Sequence, residues 1–151
     1  MRFGYQPFEA QPTPADPSPV IYRPAVLVRV RGLPGELDLW GILDTGAVEC
    51  VLPFEVYEAV EAARRGDDVG NLVDAGGRHR VLEYGTVEVE VAIKGRPLRW
   101  SAKVAFDRGR ADEASWGHLG FLQYFNATFN GPERHVTLRP RGDRPPPILG
   151  R

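Results

Sequence analysis

The sequence predicts an all-β domain, a barrel or a sandwich. Three observations carry this. Apolar and polar residues alternate in four separate runs, turn formers part those runs at close spacing, and only one stretch, after Pro53, keeps a helical period for several turns.

The 151 residues suffice for one compact domain with a real core. A composition of 42% apolar and 26% charged residues is that of an ordinary globular protein. The formal net charge of −1 argues against a general nucleic-acid binder. Cys50 is the single cysteine, so no intramolecular disulfide forms, which fits a reducing compartment. Set in an apolar run, it reads as a small buried hydrophobe rather than a reactive thiol. No apolar run approaches the ~20 residues of a membrane span, and a basic-then-apolar signal pattern is missing. The expectation is no membrane partner and a cytoplasmic location.

Three segments follow in order: a Pro-rich N-terminal arm over 1–24, a domain over 25–139 and a Pro/Arg-rich tail over 140–151. Pro7, Pro12, Pro14, Pro17, Pro19 and Pro24 keep the arm out of helices and central strands. Phe3, Tyr5, Phe8 and Tyr22 give it something to bury, so it is either free or laid along a surface. Val26, Val28 and Val30 alternate with Leu27, Arg29 and Arg31, and Leu37 and Leu39 with Glu36 and Asp38, across a Gly32–Gly35 turn. This hairpin leads into Ile42-Leu43-Asp44-Thr45-Gly46-Ala47 and then Cys50-Val51-Leu52. Pro53 can occupy the first turn of a helix carrying Phe54, Val56, Tyr57, Val60 and Ala63 and ending near Arg64-Arg65-Gly66.

Asp67 to Gly70 is a polar loop, and Asp74-Ala75-Gly76-Gly77-Arg78 is a hairpin tip. Val87, Val89, Val91 and Ile93 pair across Lys94-Gly95-Arg96 with Leu98, Trp100, Ala102, Val104 and Phe106 to make a long hairpin with one apolar face. A charged loop over 107–115 reaches Trp116-Gly117-His118-Leu119-Gly120-Phe121-Leu122, and a last hairpin turns at Asn130-Gly131-Pro132-Glu133. The basic tail beyond reads as solvated.

A carboxylate between two buried strands is costly unless something compensates its charge. Asp44 is such a residue, with Gly46 permitting a tight turn and Thr45 offering a hydroxyl to lock it. By itself, Asp-Thr-Gly also reads as a plain turn. The apolar pair before it, the Ala after it and the strand beyond resemble the active-site turn of retropepsin-like aspartic proteases, of a bacterial, single-domain type. A second signature of that family, apolar residues and Gly opening a short helix before a final hairpin, resembles Gly117 to Phe125 with the hairpin over 127–138.

The resemblance covers about residues 24–139. It implies a closed retropepsin-like barrel with one short helix after the active-site strand and a second near the C-terminus. It also implies a homodimeric endopeptidase acting on peptide or protein, because hydrolysis by carboxylates needs a pair sharing one proton and this chain has one Asp-Thr-Gly. Asp44 would then be the acid/base, Thr45 the tie between two active-site loops, and Gly46 the turn that admits substrate backbone. Ala47, Val48 and Trp116 would border the substrate, Gly76 and Gly77 would belong to a flap, and Leu119 and Gly120 would support the Asp loop. Val51 and Ile93 are further candidates for pocket walls.

No cofactor or metal is expected: the sequence has no His/Cys/Asp cluster with ligand spacing, and a satisfied structural role suits His118. Where retroviral members commonly carry an Asp–Arg ion pair, this chain has Val48 and Phe121. That departure leaves a second function open, a weakly catalytic dimer serving as a peptide-binding or assembly module.

Overall fold

The computed structural model describes residues 1–33, 35–61, 69–73, 76–93, 96–109 and 113–142, without the side chains of Leu72, Ile93 and Arg96. Expectations for Asp74-Ala75, for a helix end at Arg64-Arg65-Gly66, for the Lys94-Gly95 turn, for the Ile93 side chain and for the tail beyond 142 lie outside those residues. In chain order the elements are β1 (Arg2–Gly4), β2 (Gln6–Glu9), β3 (Val20–Arg23), β4 (Ala25–Arg31), β5 (Glu36–Leu43), β6 (Val51–Pro53), α1 (Phe54–Val60), β7 (Val69–Val73), β8 (His79–Ile93), β9 (Arg96–Asp107), β10 (Ala114–Trp116), a 3-10 turn (Leu122–Tyr124), β11 (Phe125–Asn130) and β12 (His135–Pro140).

Six strands close into a barrel. The order β4-β5-β10-β6-β9-β8 returns to β4 through the pairing of Arg29–Arg31 with Glu88–Glu90. The alternation read from the sequence sets the register, because a one-residue slip would turn every valine outward. Val26, Val28, Val30, Val87, Val89, Val91, Trp100, Ala102, Val104 and Phe106 all face the interior and are buried. β5 meets β10 in parallel and β6 meets β9 in parallel, so the short β10 is wedged between the strands on either side of the Asp44 motif.

The interior is finished by aromatics. Trp116 stacks on Phe121 at 5.3 Å, and Trp100 meets Phe121, Tyr124 and Phe125 at 5.5 to 5.9 Å. Each such pair adds ~0.5–1.5 kcal/mol to plain burial. The Trp100 indole donates to the Gly120 carbonyl at 2.7 Å, so its polar edge is satisfied inside the core.

Both helical elements are short. α1 stops at Val60, since Glu61 takes a left-handed φ of 43° and its N–H closes the helix on the Tyr57 carbonyl. The second helix is one 3-10 turn, ended by Phe125 in extended conformation with its N–H on the Leu122 carbonyl.

The arm is packed. β1 pairs with β12, which pairs with β11 in a separate three-stranded sheet, and Met1, Phe3 and Tyr5 lie against the core. β2 and β3 form their own hairpin, in which Phe8 faces Ile21 across the strands. The charged loop after β9 also has an anchor. The Arg108 guanidinium lies 3.4 Å from the centre of the Phe54 ring, and the buried Asp107 carboxylate accepts from Arg80 at 2.7 Å and from the Gly109 N–H at 2.8 Å. No helix among the described residues is long and apolar enough to cross a membrane.

Candidate active site

β5 ends at Leu43 and delivers Asp44 into a turn fixed mainly by backbone. The Asp44 N–H donates to the Trp116 carbonyl at 3.2 Å, and the Ala47 N–H donates to the Asp44 carbonyl at 3.2 Å. The Gly46 N–H donates to Asp44 Oδ1 at 2.9 Å, an Asx turn that orients the side chain. Ser115, buried in β10, directs its hydroxyl at Asp44 Oδ2, 3.4 Å away. The carboxylate is half-buried, while Thr45 and Gly46 are exposed beside it.

The second signature clasps this turn from behind. The His118 N–H donates to the Ala47 carbonyl at 3.0 Å and the Leu119 N–H to the Val48 carbonyl at 2.7 Å. His118 Nε2 lies 2.9 Å from the Thr45 carbonyl; a carbonyl only accepts, so this nitrogen carries a proton and donates. Gly117 is the residue the loop rests on. A Cβ there would stand 2.2 Å from the Glu49 carbonyl oxygen and 2.9 Å from that of Ala47, so a side chain cannot enter.

Several residues sit differently from what the sequence suggests. Leu119 reaches the loop through its N–H, but its side chain is 50% exposed, and Gly120 lies deeper at φ 92°, against Cys50. Leu119 therefore supports the loop through its backbone, and Gly117 and His118 hold the same loop beside it. Trp116 borders no cleft in this chain: it is wholly buried, stacked on Phe121. Val48 is 67% exposed while Phe121 is core, so Val48 lies outside the apolar cluster that holds Phe121. Cys50 is buried with its thiol 3.2 Å from the Leu119 carbonyl, and burial pushes it up to about 12.

Register defines a floor on the outer face of the barrel wall. Ile42, Ser115, Val51, Ala105 and Tyr84 are successive cross-strand neighbours on β5, β10, β6, β9 and β8. Leu82 packs with Val51 and Ala105 and draws in the half-buried Tyr84. There β8 runs on into its hairpin with β7, at whose turn Gly76 and Gly77 lie, Gly77 at φ 75°. A hollow of about 450 Å³ is lined by Glu49, Val69, Gly70, Tyr84, Lys103 and Leu119. In it the Tyr84 hydroxyl donates to Glu49 Oε2 at 2.6 Å, and burial, then Glu49, pushes the phenol up to about 12.

One carboxylate, oriented by two donors and open on one side, can act as a base toward water, but cannot donate and accept at once. Among the described residues no group of three or more His, Cys, Asp and Glu could hold a metal ion. Ser115 and Gly117 are the site residues that sequence reasoning did not single out. Gly117 lay inside the quoted signature; a lone Ser in a three-residue strand gave no signal.

Comparison with solved structures finds a likeness in fold. The chain is similar to the EIAV protease complexed with the inhibitor HBY-793, at 22% identity over 64% of this chain and 82% of that one, with a TM-score of 0.44. No family model matches the chain. No curated protein matches it either.

Proposed function

We propose that two copies of this chain form an aspartic endopeptidase, each giving one Asp44 to a shared dyad. One observation carries the reading: a carboxylate held by Gly46 and Ser115 at the rim of a closed barrel, with Thr45 and Gly46 exposed next to it. A two-fold axis through that exposed rim would set Asp44 opposite its own copy.

In the dyad, one carboxylate takes a proton from water as the other gives one to the substrate carbonyl. The exposed Thr45 would tie the two loops together through its hydroxyl. The β7–β8 hairpin, with Gly76 and Gly77 at its turn, would serve as the flap over an extended peptide. Ala47 and Val48 would border that peptide, and Val51, on the floor, would meet a side chain. Trp116 has no such role, being closed inside the core.

The test is cleavage of fluorescently labelled casein and of peptide libraries by wild type and Asp44→Asn, with sedimentation in parallel. The expected result is a dimer whose cleavage is bell-shaped in pH and falls at least about 10³-fold in Asp44→Asn. Equal cleavage by Asp44→Asn, or full activity from a monomer, overturns the reading. Peptide binding by both proteins without cleavage by either establishes the binding module instead.

A further inference from the structure

Among the described residues, the buried polar or charged side chains are Asp107 and Ser115. Asp107 is accounted for by Arg80 and Gly109. Ser115 is 4% exposed, and its hydroxyl meets Asp44 Oδ2. A buried hydroxyl without a partner is costly, so this contact is what makes a serine tolerable there.

We propose that Ser115 is a positioning residue for Asp44, its hydroxyl setting the orientation of the carboxylate and following its proton. The carboxylate plane is then fixed at two points from two parts of the chain: Oδ1 by the Gly46 N–H and Oδ2 by the Ser115 hydroxyl. Ala47, the residue after the Asp-Thr-Gly turn, has no hydroxyl to offer. The donor comes instead from β10, whose backbone is held by Ile42 on one side and Val51 on the other. With the strand pinned on both edges, only rotation about χ1 remains to aim the hydroxyl.

The chemistry suits a group that gains and loses a proton. An ionised carboxylate only accepts, so Ser115 donates to it; a protonated one can donate, and the hydroxyl can then accept. At 3.4 Å the contact is longer than an ordinary hydroxyl bond, so the effect is orientation with modest charge stabilisation. Its consequence for catalysis rests on the aspartic-peptidase reading; the coupling of Ser115 to Asp44 does not.

The test compares wild type, Ser115→Ala and Ser115→Thr in the full chain by two readouts. The first is the pH profile of labelled-casein cleavage; the second is carbon NMR titration of the Asp44 side-chain carboxyl, which needs no turnover. Losing the donor makes the charged form less favoured, so Ser115→Ala displaces the acid limb and the carboxyl resonance curve toward higher pH. Ser115→Thr, which keeps the hydroxyl, brings both back. Superimposed wild-type and Ser115→Ala curves overturn the proposal, as does a displacement that Ser115→Thr fails to reverse while remaining folded. A displaced and restored titration in a protein that cleaves nothing refutes the peptidase reading and leaves the Ser115–Asp44 coupling standing.

Discussion

The Asp44 turn and the β7–β8 hairpin leave neighbouring parts of one barrel wall and are held in opposite ways. The turn is tied by main-chain bonds to Trp116, Ala47, His118 and Leu119, with Gly117 pressed against it. The hairpin stops pairing with β9 at Leu82; beyond it the tie is a side chain, Arg80 to Asp107, with Arg108 on Glu83 and Leu82 on Val51 and Ala105 at the base. Its other face is open, with Val69, Val73 and Val81 more than half exposed. Backbone bonds between packed strands fix a group in one place. Ion pairs on long side chains allow a segment to open without unfolding the barrel.

If the turn is the rigid partner, the sharpest way to break it is at the glycine. Gly117→Ala drives a Cβ into two carbonyls and should cost about 3 kcal/mol or more, read as a fall in the denaturation midpoint. A stability equal to wild type would mean the turn can yield. Asp107→Ala acts on the other side of the comparison. It removes the buried acceptor of Arg80 and should cost about 2–3 kcal/mol, with amide exchange rising first in β7 and the start of β8. Exchange rising equally around the ring would deny the hairpin its independence.

Alkaline pH probes the ground beneath the turn. Burial raises the Cys50 thiol from 9.0 to about 12, so its contribution to stability is whole below about pH 9 and drains as pH climbs toward 12. About 1–2 kcal/mol should be gone by pH 10, and iodoacetamide should label the native protein far more slowly than the denatured one. Rapid native labelling would show the turn opening by itself. The smallest effect is expected at Gly77→Ala. Its positive φ costs ~1 kcal/mol, but nothing lies within 4 Å of the new Cβ, so the barrel should keep its midpoint to within that amount.

Strands whose one face is core could be read from the sequence. Val26, Val28 and Val30, and the long β8–β9 hairpin, declare themselves by period. So does Asp44, because a carboxylate between apolar runs stands out. What escaped is short or fixed by distant partners. β10 is three residues, all buried, with no alternation to display; Ser115 matters only once register places it between Ile42 and Val51. Gly117 and Gly120 are alike as letters, and only the close approach of the Ala47 and Glu49 carbonyls separates their roles. Asp107 looked like part of a charged loop, yet it is buried against Arg80. Prolines masked the arm: Pro7 sits within β2, whose only described partner is β3.

The closure of β4 onto β8 also governs how this molecule can meet other chains. A ring has no terminal strand, so each of its six members has a paired neighbour on both sides. Among the described strands, unfinished ladders remain on β7, on β1 and β11 at the flanks of the small sheet, and on the β2–β3 ribbon. Strand-by-strand recruitment of another polypeptide, whether a second copy or a misfolded neighbour, is therefore favoured at those margins. A lysine or proline placed there would curb such recruitment without touching a single valine of the interior.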